Sequence, residues 1–383
     1  MDTFELIAPC HFGLEAVAKR EIYDLGYEIS KVEDGRIFFH GDREAIALSN
    51  LWLRTVERVM IHVGSFPAAT FDELFEGVRA LPWERYIPRD GKFWVTKATS
   101  IKSKLFSTTD IQSIAKKAMV ERLGAQYGIS RFPEDGPAYP VRISLLKDSV
   151  MVALDTTGAS LHKRGYRTMS GEAPISETLA CALIGLTPWR GDRILIDPFC
   201  GSGTFLIEAA MMARDMAPGA NRSFLAEEWK YPDLGSVWRD ARKEAQSRIK
   251  DEVETDLQGF DIDGRVLAVA RENAARAGVS GMIHFQERDV GSLSHAKPYG
   301  FIITNPPYGE RMGEADELYE TYRALGRAYR GLKDWSMYVI TAYEKAQKAF
   351  GRKADKNRKV YNGMIRAYYY QYIGAKPKWK KKS

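Results

Sequence analysis

Hydrophobic and polar positions follow different patterns in the two halves of the 383-residue chain. From Gly165 onward, short continuous apolar runs such as RILIDPF and GFIITNPP alternate with longer segments whose apolar residues recur at helical spacing. Continuous apolar strands between amphipathic helices are typical of a parallel sheet with helices on both faces. The C-terminal half is therefore predicted to be a doubly wound α/β domain. A tyrosine-rich strand over 366–373, after an Asn-Gly turn, is predicted to add an antiparallel partner.

The N-terminal half has an α+β pattern. It begins with a strand, a helix over about 13–25 and a second strand, GRIFFHG. A helix over 70–80 with Thr70 as N-cap precedes a strand over 92–98, and a longer helix follows with Ser107 or Thr109 as its cap. Two strands around Lys147-Asp148 complete it as a hairpin. The domain boundary is predicted near 156–165.

Charge is unevenly distributed along the chain. The net charge is +6, yet residues 348–383 contain 12 Lys/Arg and a single acid, Asp355, so the remainder is net acidic. A basic end of this kind is either a solvated tail or a footprint for nucleic-acid phosphates. Three widely separated cysteines, no apolar run of bilayer length and no export signal predict a protein of the reducing cytoplasm, without a membrane partner.

Four predicted strands of the C-terminal half end in residues that are suited to bind a ligand or to take part in a reaction. In an open α/β sheet, ligands bind beyond the carboxyl ends of the strands. The first end, DPFCGSGT over 197–204, offers two glycines, Gly201 and Gly203, that allow close approach of a ligand to the backbone. It has no Gly-Lys-Ser/Thr and therefore is not a triphosphate loop. Its carboxylate, Asp197, favours a cation or an ammonium group.

Acidic residues follow the next two strands. An acid at this position, Asp261 or Asp263, is placed to accept hydrogen bonds from ribose hydroxyls. The two side chains point to opposite faces of an extended strand, so one of them is expected to contact a ligand, and either acid taken alone is more readily explained as a helix N-cap. Asp289 is placed to bind the exocyclic amine of an adenine, or is a solvated turn residue.

The fourth strand ends in Asn305-Pro306-Pro307-Tyr308. An exocyclic amine on a base is a poor nucleophile because its lone pair is delocalised into the ring. The Asn305 side-chain carbonyl and the Pro306 main-chain carbonyl can each accept one amine hydrogen and aim the lone pair. The prolines hold these acceptors in place, and Tyr308 offers a face for an extruded base.

In this order, the four strand ends resemble those of S-adenosylmethionine (SAM)-dependent methyltransferases that act on exocyclic amines. The resemblance implies a Rossmann-like domain with a mostly parallel seven-stranded sheet, SAM as cofactor, and no metal. It implies catalytic roles for Asn305, Pro306, Pro307 and Tyr308. It implies cofactor contacts at Asp197, Phe199, Cys200, Gly201, Gly203, Thr204, Asp261, Ile262, Asp289, Val290 and Asn305.

Further motifs narrow the resemblance. Gly309-Glu310-Arg311, and Gly165-Tyr166-Arg167 followed by APISE over 173–177, resemble RNA guanine-N2 methyltransferases that carry a THUMP domain, a type known from bacterial large-subunit rRNA. The implied organisation is a ferredoxin-like segment over 1–50, a THUMP domain over 51–157, the methyltransferase domain over 165–375 and a basic tail over 376–383. Candidate phosphate contacts in the THUMP domain are Lys97, Lys102, Lys104, Lys116 and Lys117.

The implied function is methylation of a guanine N2 amine in RNA, with 23S rRNA or a ribosome-assembly intermediate as partner and no obligate protein partner. Four alternatives stay open at this stage. The acceptor could be tRNA, or an amine in DNA or a protein glutamine. The chain could also be an RNA-binding assembly factor with a vestigial methyltransferase domain.

Overall fold

The computed structural model describes residues 3–167, 175–229, 231, 234–309 and 315–377. Contacts within the chain divide it into two compact units. Unit 1 comprises Met1–Cys10, Lys19–Leu161 and Arg222–Ala245, and unit 2 comprises His11–Ala18, His162–Asn221 and Gln246–Ser383. Each unit therefore contains a short segment that is distant in sequence from its main part. The predicted domain limits stay a prediction.

The N-terminal half contains seven strands and four helices within the described residues. The strands are β1 (Phe4–Pro9), β2 (Ile29–Glu33), β3 (Arg36–Gly41), β4 (Met60–Pro67), β5 (Lys92–Ile101), β6 (Ala138–Leu146) and β7 (Ser149–Asp155). The helices are α1 (Glu15–Asp24), α2 (Arg43–Trp52), α3 (Phe71–Ala80) and α4 (Thr108–Tyr127). The strands form one sheet in the order β2-β3-β1-β4-β7-β6-β5, in which only β5 and β6 pair in parallel.

Local sequence explains several element ends in this half. Thr70 caps α3 in a reciprocal capping box with Glu73, as its position before the helix predicts. Ser107 caps α4 by accepting from the Asp110 N–H, which resolves the choice between Ser107 and Thr109. Lys147 and Asp148 have φ of 52° and 62°, the left-handed pair that a two-residue hairpin turn requires. The predicted hairpin between β6 and β7 is confirmed.

A segment of the C-terminal half completes unit 1. The Trp229 ring stacks on Tyr139 of β6 with ring centroids 4.8 Å apart, and its indole N–H donates to the Ala138 carbonyl at 2.9 Å. Trp229 is buried. An aromatic side chain of this size contributes strongly to packing, so the core of unit 1 depends on residues more than 60 positions after its last strand.

The C-terminal half contains the remaining elements. Its helices are α5 (Glu177–Gly185), α6 (Thr204–Ala213), α7 (Gly235–Ser247), α8 (Gly264–Arg276), α9 (Ala315–Gly331) and α10 (Ala346–Phe350). Its strands are β8 (Leu195–Asp197), β9 (Leu257–Asp261), β10 (Ile283–Glu287), β11 (Phe301–Thr304), β12 (Ser336–Thr341), β13 (Lys356–Asn362) and β14 (Ile365–Tyr372).

These seven strands form the sheet of unit 2 in the order β10-β9-β8-β11-β12-β14-β13. The first five are parallel, whereas β14 runs antiparallel to β12 and pairs with β13 as a hairpin. The mostly parallel seven-stranded sheet and its tyrosine-rich antiparallel strand are therefore confirmed. One sheet face packs on α5, α6 and α8, and the other packs on α9 and α10. Strand order reverses between β8 and β11, which places the expected ligand crevice at their carboxyl ends.

Within the described part of the chain, no helix combines the length and the apolar character that a membrane span requires.

Candidate active site

A cavity of about 750 Å³ opens at the carboxyl edge of the sheet in unit 2. This volume lies within the range of roughly 300–1,000 Å³ typical of ligand pockets. All four predicted strand ends contribute to it. The predicted site residues on its wall are Phe199, Gly201, Thr204, Asp261, Ile262, Asp289, Val290, Asn305 and Pro307. Residues that are far apart in sequence thus meet in one crevice, as the topology requires.

The glycine loop after β8 presents its backbone to the cavity. Gly201 has φ +50°, and a Cβ there would meet no atom within 4 Å, so a side chain would project into the open space. Gly203 has φ +83°, and a Cβ there would lie 3.1 Å from Phe285. Gly203 also occupies the N-cap of α6 without a capping side chain, which leaves N–H groups of the first turn for a ligand.

Asp261 links two strand ends. Its Oδ2 accepts from the Gly201 N–H at 3.1 Å and its Oδ1 accepts from the Asp263 N–H at 3.1 Å. Each carboxylate oxygen keeps acceptor capacity for hydroxyls of a ligand in the cavity. Asp263 instead caps α8 and pairs with Arg265. The structure thus separates the two acids into a cavity-lining residue and a helix cap.

Apolar side chains form another part of the wall. Ile262 is 70% exposed although it is aliphatic and lines the cavity beside Phe199 and Val290. Exposed apolar surface in a concave site is suited to the faces of a base. Asp289 lies at the same wall, is exposed, and accepts from the Gly291 N–H at 2.7 Å.

Asp197 and Cys200 lie behind the cavity wall. Asp197 is 2% exposed, and its Oδ1 accepts from the Thr304 hydroxyl at 2.6 Å and from the Phe199 N–H at 3.1 Å. Burial raises the pKa of Asp197 to about 7, against the lowering effect of these hydrogen bonds. Burial likewise raises the pKa of the Cys200 thiol. Asp197 therefore ties the end of β8 to the end of β11.

The Asn305–Tyr308 loop is fixed by two tyrosine hydroxyls. The Tyr308 hydroxyl donates to Asn305 Oδ1 at 2.5 Å. The Tyr322 hydroxyl, from α9, donates to the Pro307 carbonyl at 3.0 Å and also contacts the Thr341 hydroxyl at 2.5 Å. Asn305 and Tyr308 are half-buried, whereas Pro306 is buried. Asn305 and Pro307 line the cavity, whereas Pro306 and Tyr308 are not part of its wall.

Arg167 supports the opposite wall. Its guanidinium donates to the Ile175 carbonyl at 3.1 Å and to the Thr204 hydroxyl at 2.5 Å, and Ile175 and Thr204 both line the cavity. Its Nε lies 3.3 Å from Oε1 of Glu177, a buried carboxylate whose pKa is raised by burial. Arg167 therefore joins three segments of the chain at this wall of the cavity. Its position in the Gly165-Tyr166-Arg167 motif was the available sequence signal, but it was not among the predicted site residues.

One face of α9 was also missed by sequence reasoning. It adds Glu317, Leu318, Glu320, Thr321, Ala324 and Arg327 to the cavity wall. Their spacing, with intervals of three and four residues, is that of one helix face. The sequence did not identify this face as part of a site, because its mixture of polar and apolar residues is also typical of a solvated helix.

The predicted THUMP lysines differ in their surroundings. Lys97, Lys102, Lys104 and Lys117 are exposed. Lys116 is held by the Phe93 carbonyl, by Glu134 at 3.0 Å and by the Phe93 ring. Lys116 is thus the least available of the five for a phosphate.

Some predicted features lie outside the described residues. They are Ala173 and Pro174, Glu310 and Arg311, and positions 378–383 of the basic tail. Among the residues that are described, no group of three or more His, Cys, Asp or Glu side chains is arranged to hold a metal ion.

Three family models match the chain. Residues 5–60 match the RlmL ferredoxin-like domain, residues 68–155 match the THUMP domain, and residues 164–371 match the RMKL-like methyltransferase domain. The last match alone covers more than half of the chain.

Relatives match over nearly the whole length. A Bacillus subtilis (strain 168) protein named "Putative RNA methyltransferase YpsC" is 46% identical over 375 residues, which cover 97% of this chain and 96% of the relative. The solved structure of a possible methylase from Clostridium difficile 630 is 49% identical, with a TM-score of 0.96 and coverage of 99% of this chain and 100% of that one.

Two further solved structures are similar. One, described as a predicted N6-adenine-specific DNA methylase from Listeria monocytogenes str. 4b F2365, is 45% identical with a TM-score of 0.92, covering 98% of this chain and 97% of that one. The other, described as "SMU.472, a putative methyltransferase complexed with SAH", is 44% identical with a TM-score of 0.93. The match covers 99% of this chain and 100% of that one.

Proposed function

The chain belongs to the family of RMKL-like methyltransferases that carry an RlmL-type ferredoxin-like domain and a THUMP domain, and from this premise we propose that it methylates the N2 amine of a guanine in RNA. Its cofactor is SAM, and its RNA is 23S rRNA or an assembly intermediate that contains it. The observation that carries the proposal is the Asn305 amide facing the cavity from a loop held by two hydroxyls.

The cavity fits SAM by the chemistry of its wall. Asp261 has acceptor capacity for ribose hydroxyls, and Ile262 and Val290 offer apolar surface for the adenine. The uncapped start of α6 suits a carboxylate, and Gly201 leaves room for the chain of the amino acid. When bound, SAM supplies an activated methyl group on a sulfonium and leaves as a thioether.

The Asn305 loop prepares the acceptor amine. Asn305 Oδ1 and the Pro306 carbonyl accept one hydrogen each from the guanine N2 amine, which localises the nitrogen lone pair. The rigid prolines and the Tyr322 hydrogen bond hold these acceptors, so the geometry exists before the substrate binds. Tyr308 supports Asn305 through its hydroxyl and offers its ring to the extruded base. After transfer, the excess proton of the methylated amine passes to solvent.

The choice of RNA and guanine has separate support. The THUMP match over 68–155, with exposed Lys97, Lys102, Lys104 and Lys117 in unit 1, favours RNA as the substrate. The RNA methyltransferase name of the Bacillus subtilis relative agrees with this choice. The assignment to guanine rests on the resemblance of the motifs around Gly309 and Gly165 to guanine-N2 methyltransferases.

The second candidate function is transfer to tRNA guanine. It uses the same Asn305 cradle and differs only in the RNA that the N-terminal unit selects. The Listeria monocytogenes structure is described as a predicted N6-adenine-specific DNA methylase. Transfer to an adenine N6 amine in DNA uses the same amine chemistry. All three acceptors are distinguished by the identity of the methylated nucleoside and of its polymer.

The test is transfer of tritium from labelled SAM to rRNA, tRNA and DNA, each taken from a strain that lacks the gene. The expected product after digestion is N2-methylguanosine from large-subunit rRNA. Label in tRNA supports the second candidate, and N6-methyladenine in DNA overturns the proposal. Asn305→Ala is expected to abolish transfer and to leave RNA binding within about twofold, because it removes an acceptor and not the RNA-binding surface.

A further inference from the structure

The β13–β14 hairpin extends beyond the carboxyl edge of its sheet. Thr341, the last residue of β12, pairs with Tyr368 of β14, and Tyr368 pairs with Lys359 of β13. Residues 360–367 therefore lie beyond the end of β12. The three residues from Val360 to Asn362 correspond to roughly 10 Å at about 3.3 Å per residue. Asn305 also follows this edge, on a strand two positions from β14 in the sheet.

The two faces of the extending hairpin differ in character. One face is core, with Val360, Ala367 and Tyr369 fully buried. The other face, called the hairpin face below, consists of Lys359, Tyr361, Arg366 and Tyr368. Register places the four on one side, because Lys359 is opposite Tyr368 and Tyr361 is opposite Arg366. Lys359 and Arg366 are exposed, and the two tyrosines are half-buried.

The cations of the hairpin face lie over its rings. The Lys359 ammonium is 5.4 Å from the Tyr361 ring centroid, and the Arg366 guanidinium is 5.5 Å from that of Tyr368. Arg366 also donates to the Tyr368 hydroxyl at 2.6 Å. Met364, at the tip, is 97% exposed. Paired cations and aromatic faces with apolar surface suit a chain of phosphates and unstacked bases.

Tyrosines connect the hairpin face to the catalytic loop. Tyr368 stacks with Tyr370 at a centroid distance of 5.9 Å, and Tyr370 belongs to the same core cluster as Tyr322. The Tyr322 hydroxyl holds the Pro307 carbonyl. The hairpin face thus lies on the same side of the sheet as α9, which lines the cavity.

Charge favours a polyanion at this position. The sequence over 356–373 contains four Lys/Arg and no acid. Glu344, which interacts electrostatically with Arg366, is an exposed residue of the segment after β12. A phosphate backbone neutralises such a surface and releases counterions.

We propose that the hairpin face binds the single-stranded RNA that flanks the target nucleotide, with phosphates on Lys359 and Arg366 and a base against Tyr361 or Met364. This inference rests on the proposed RNA methyltransferase function. The hairpin face is a positioning surface that takes no part in the chemical step. It holds the strand at the edge where the extruded base enters the cavity.

The test compares two double variants of the full chain. In K359Q/R366Q the hairpin face loses both charges. In the matched control K297Q/K333Q, two exposed lysines are replaced just before β11 and β12, at the opposite edge of the sheet. The measurements are the salt dependence of Kd for an unstructured 12-nucleotide RNA, Kd for S-adenosylhomocysteine, and single-turnover transfer to rRNA.

The expected result is a loss of about 1.4 in the slope of log Kd against log salt for K359Q/R366Q, because each phosphate contact on a single strand contributes about 0.7. Transfer at subsaturating RNA is expected to fall by about tenfold, with unchanged cofactor Kd and an unchanged control. If wild type labels rRNA and both double variants have its slope, the hairpin inference is wrong and the proposed function stands. If wild type labels no RNA, the proposed function itself fails.

Discussion

The Tyr308 hydroxyl donates to the side-chain oxygen of Asn305 at 2.5 Å. This bond fixes the orientation of the planar amide, with its carbonyl oxygen as the acceptor. A carbonyl oxygen has two lone pairs, so Asn305 keeps one acceptor site for a hydrogen of the substrate amine. In the proposed function Tyr308 has two roles, one through its hydroxyl on Asn305 and one through its ring against a base, and mutation can separate them.

Tyr308→Phe removes only the hydroxyl. We expect kcat to fall by about tenfold with KM for RNA nearly unchanged, because one orienting hydrogen bond contributes about 1–1.5 kcal/mol. Tyr308→Ala also removes the ring, and KM for RNA is then expected to rise about 5- to 150-fold, from a stacking contribution of about 1–3 kcal/mol. Steady-state kinetics of both variants separate the effects. Equal parameters for the two variants would show that the ring does not contact the base.

Tyr322→Phe removes the donor to the Pro307 carbonyl. The hydroxyl also contacts the buried Thr341, so the free energy of unfolding is expected to fall by about 1–3 kcal/mol. Loss of loop order is expected to lower kcat as well. Tyr329→Phe is the matched control on the same helix, since the Tyr329 hydroxyl donates to the Trp335 carbonyl near the opposite edge. A control that loses as much kcat as Tyr322→Phe would assign the effect to stability alone.

Arg167→Lys replaces a planar group that reaches Ile175, Thr204 and Glu177. An ammonium cannot maintain the three contacts in this geometry. We expect Kd for S-adenosylhomocysteine, measured by calorimetry, to rise about tenfold and the unfolding midpoint to fall. Adding Glu177→Gln removes the buried carboxylate and is expected to restore the midpoint without restoring cofactor affinity. Recovery of both the unfolding midpoint and the cofactor affinity would show that Arg167 acts only through the stability of the fold.

The pH dependence of stability tests Asp197. Its folded pKa of about 7 lies above the ordinary value of 3.8, so the folded state retains a proton that the unfolded state loses in this window. The contribution to stability is complete below about pH 4 and is lost as pH rises to about 7, with a slope of about 1.4 kcal/mol per pH unit. We expect Asp197→Asn to remove this slope in chemical unfolding without cofactor. Parallel profiles for the two proteins would refute the raised pKa.

Local signals made much of the fold predictable. Thr70 before an apolar pattern gave the start of α3, and Lys147-Asp148 between two β-rich runs gave the hairpin of β6 and β7. Asp261, Asp289 and Asn305 each follow a strand, and they were predicted to lie at one edge because parallel strands end on the same side of a sheet. These features depend on short stretches of sequence and on topology rules.

Contacts between distant elements were not predictable in this way. The Tyr308–Asn305 bond depends on a rotamer, and the contacts of Tyr322 and Arg167 depend on how α9 and the segment before α5 pack against the loops. The burial of Asp197 behind the wall, instead of in it, follows from a Thr304 partner 107 residues away. No spacing in the sequence encodes these distances.

The inclusion of Arg222–Ala245 in unit 1 has a consequence for synthesis of the protein on the ribosome. Leu161 emerges about 80 residues before the end of this segment, which at about 5–20 residues per second is a delay of roughly 4–16 s. During that interval the Tyr139 face that Trp229 covers remains exposed in the nascent chain. Unit 1 therefore cannot reach its final packing until Arg222–Ala245 has been translated, whereas most of unit 2, Gln246–Ser383, is translated only afterwards.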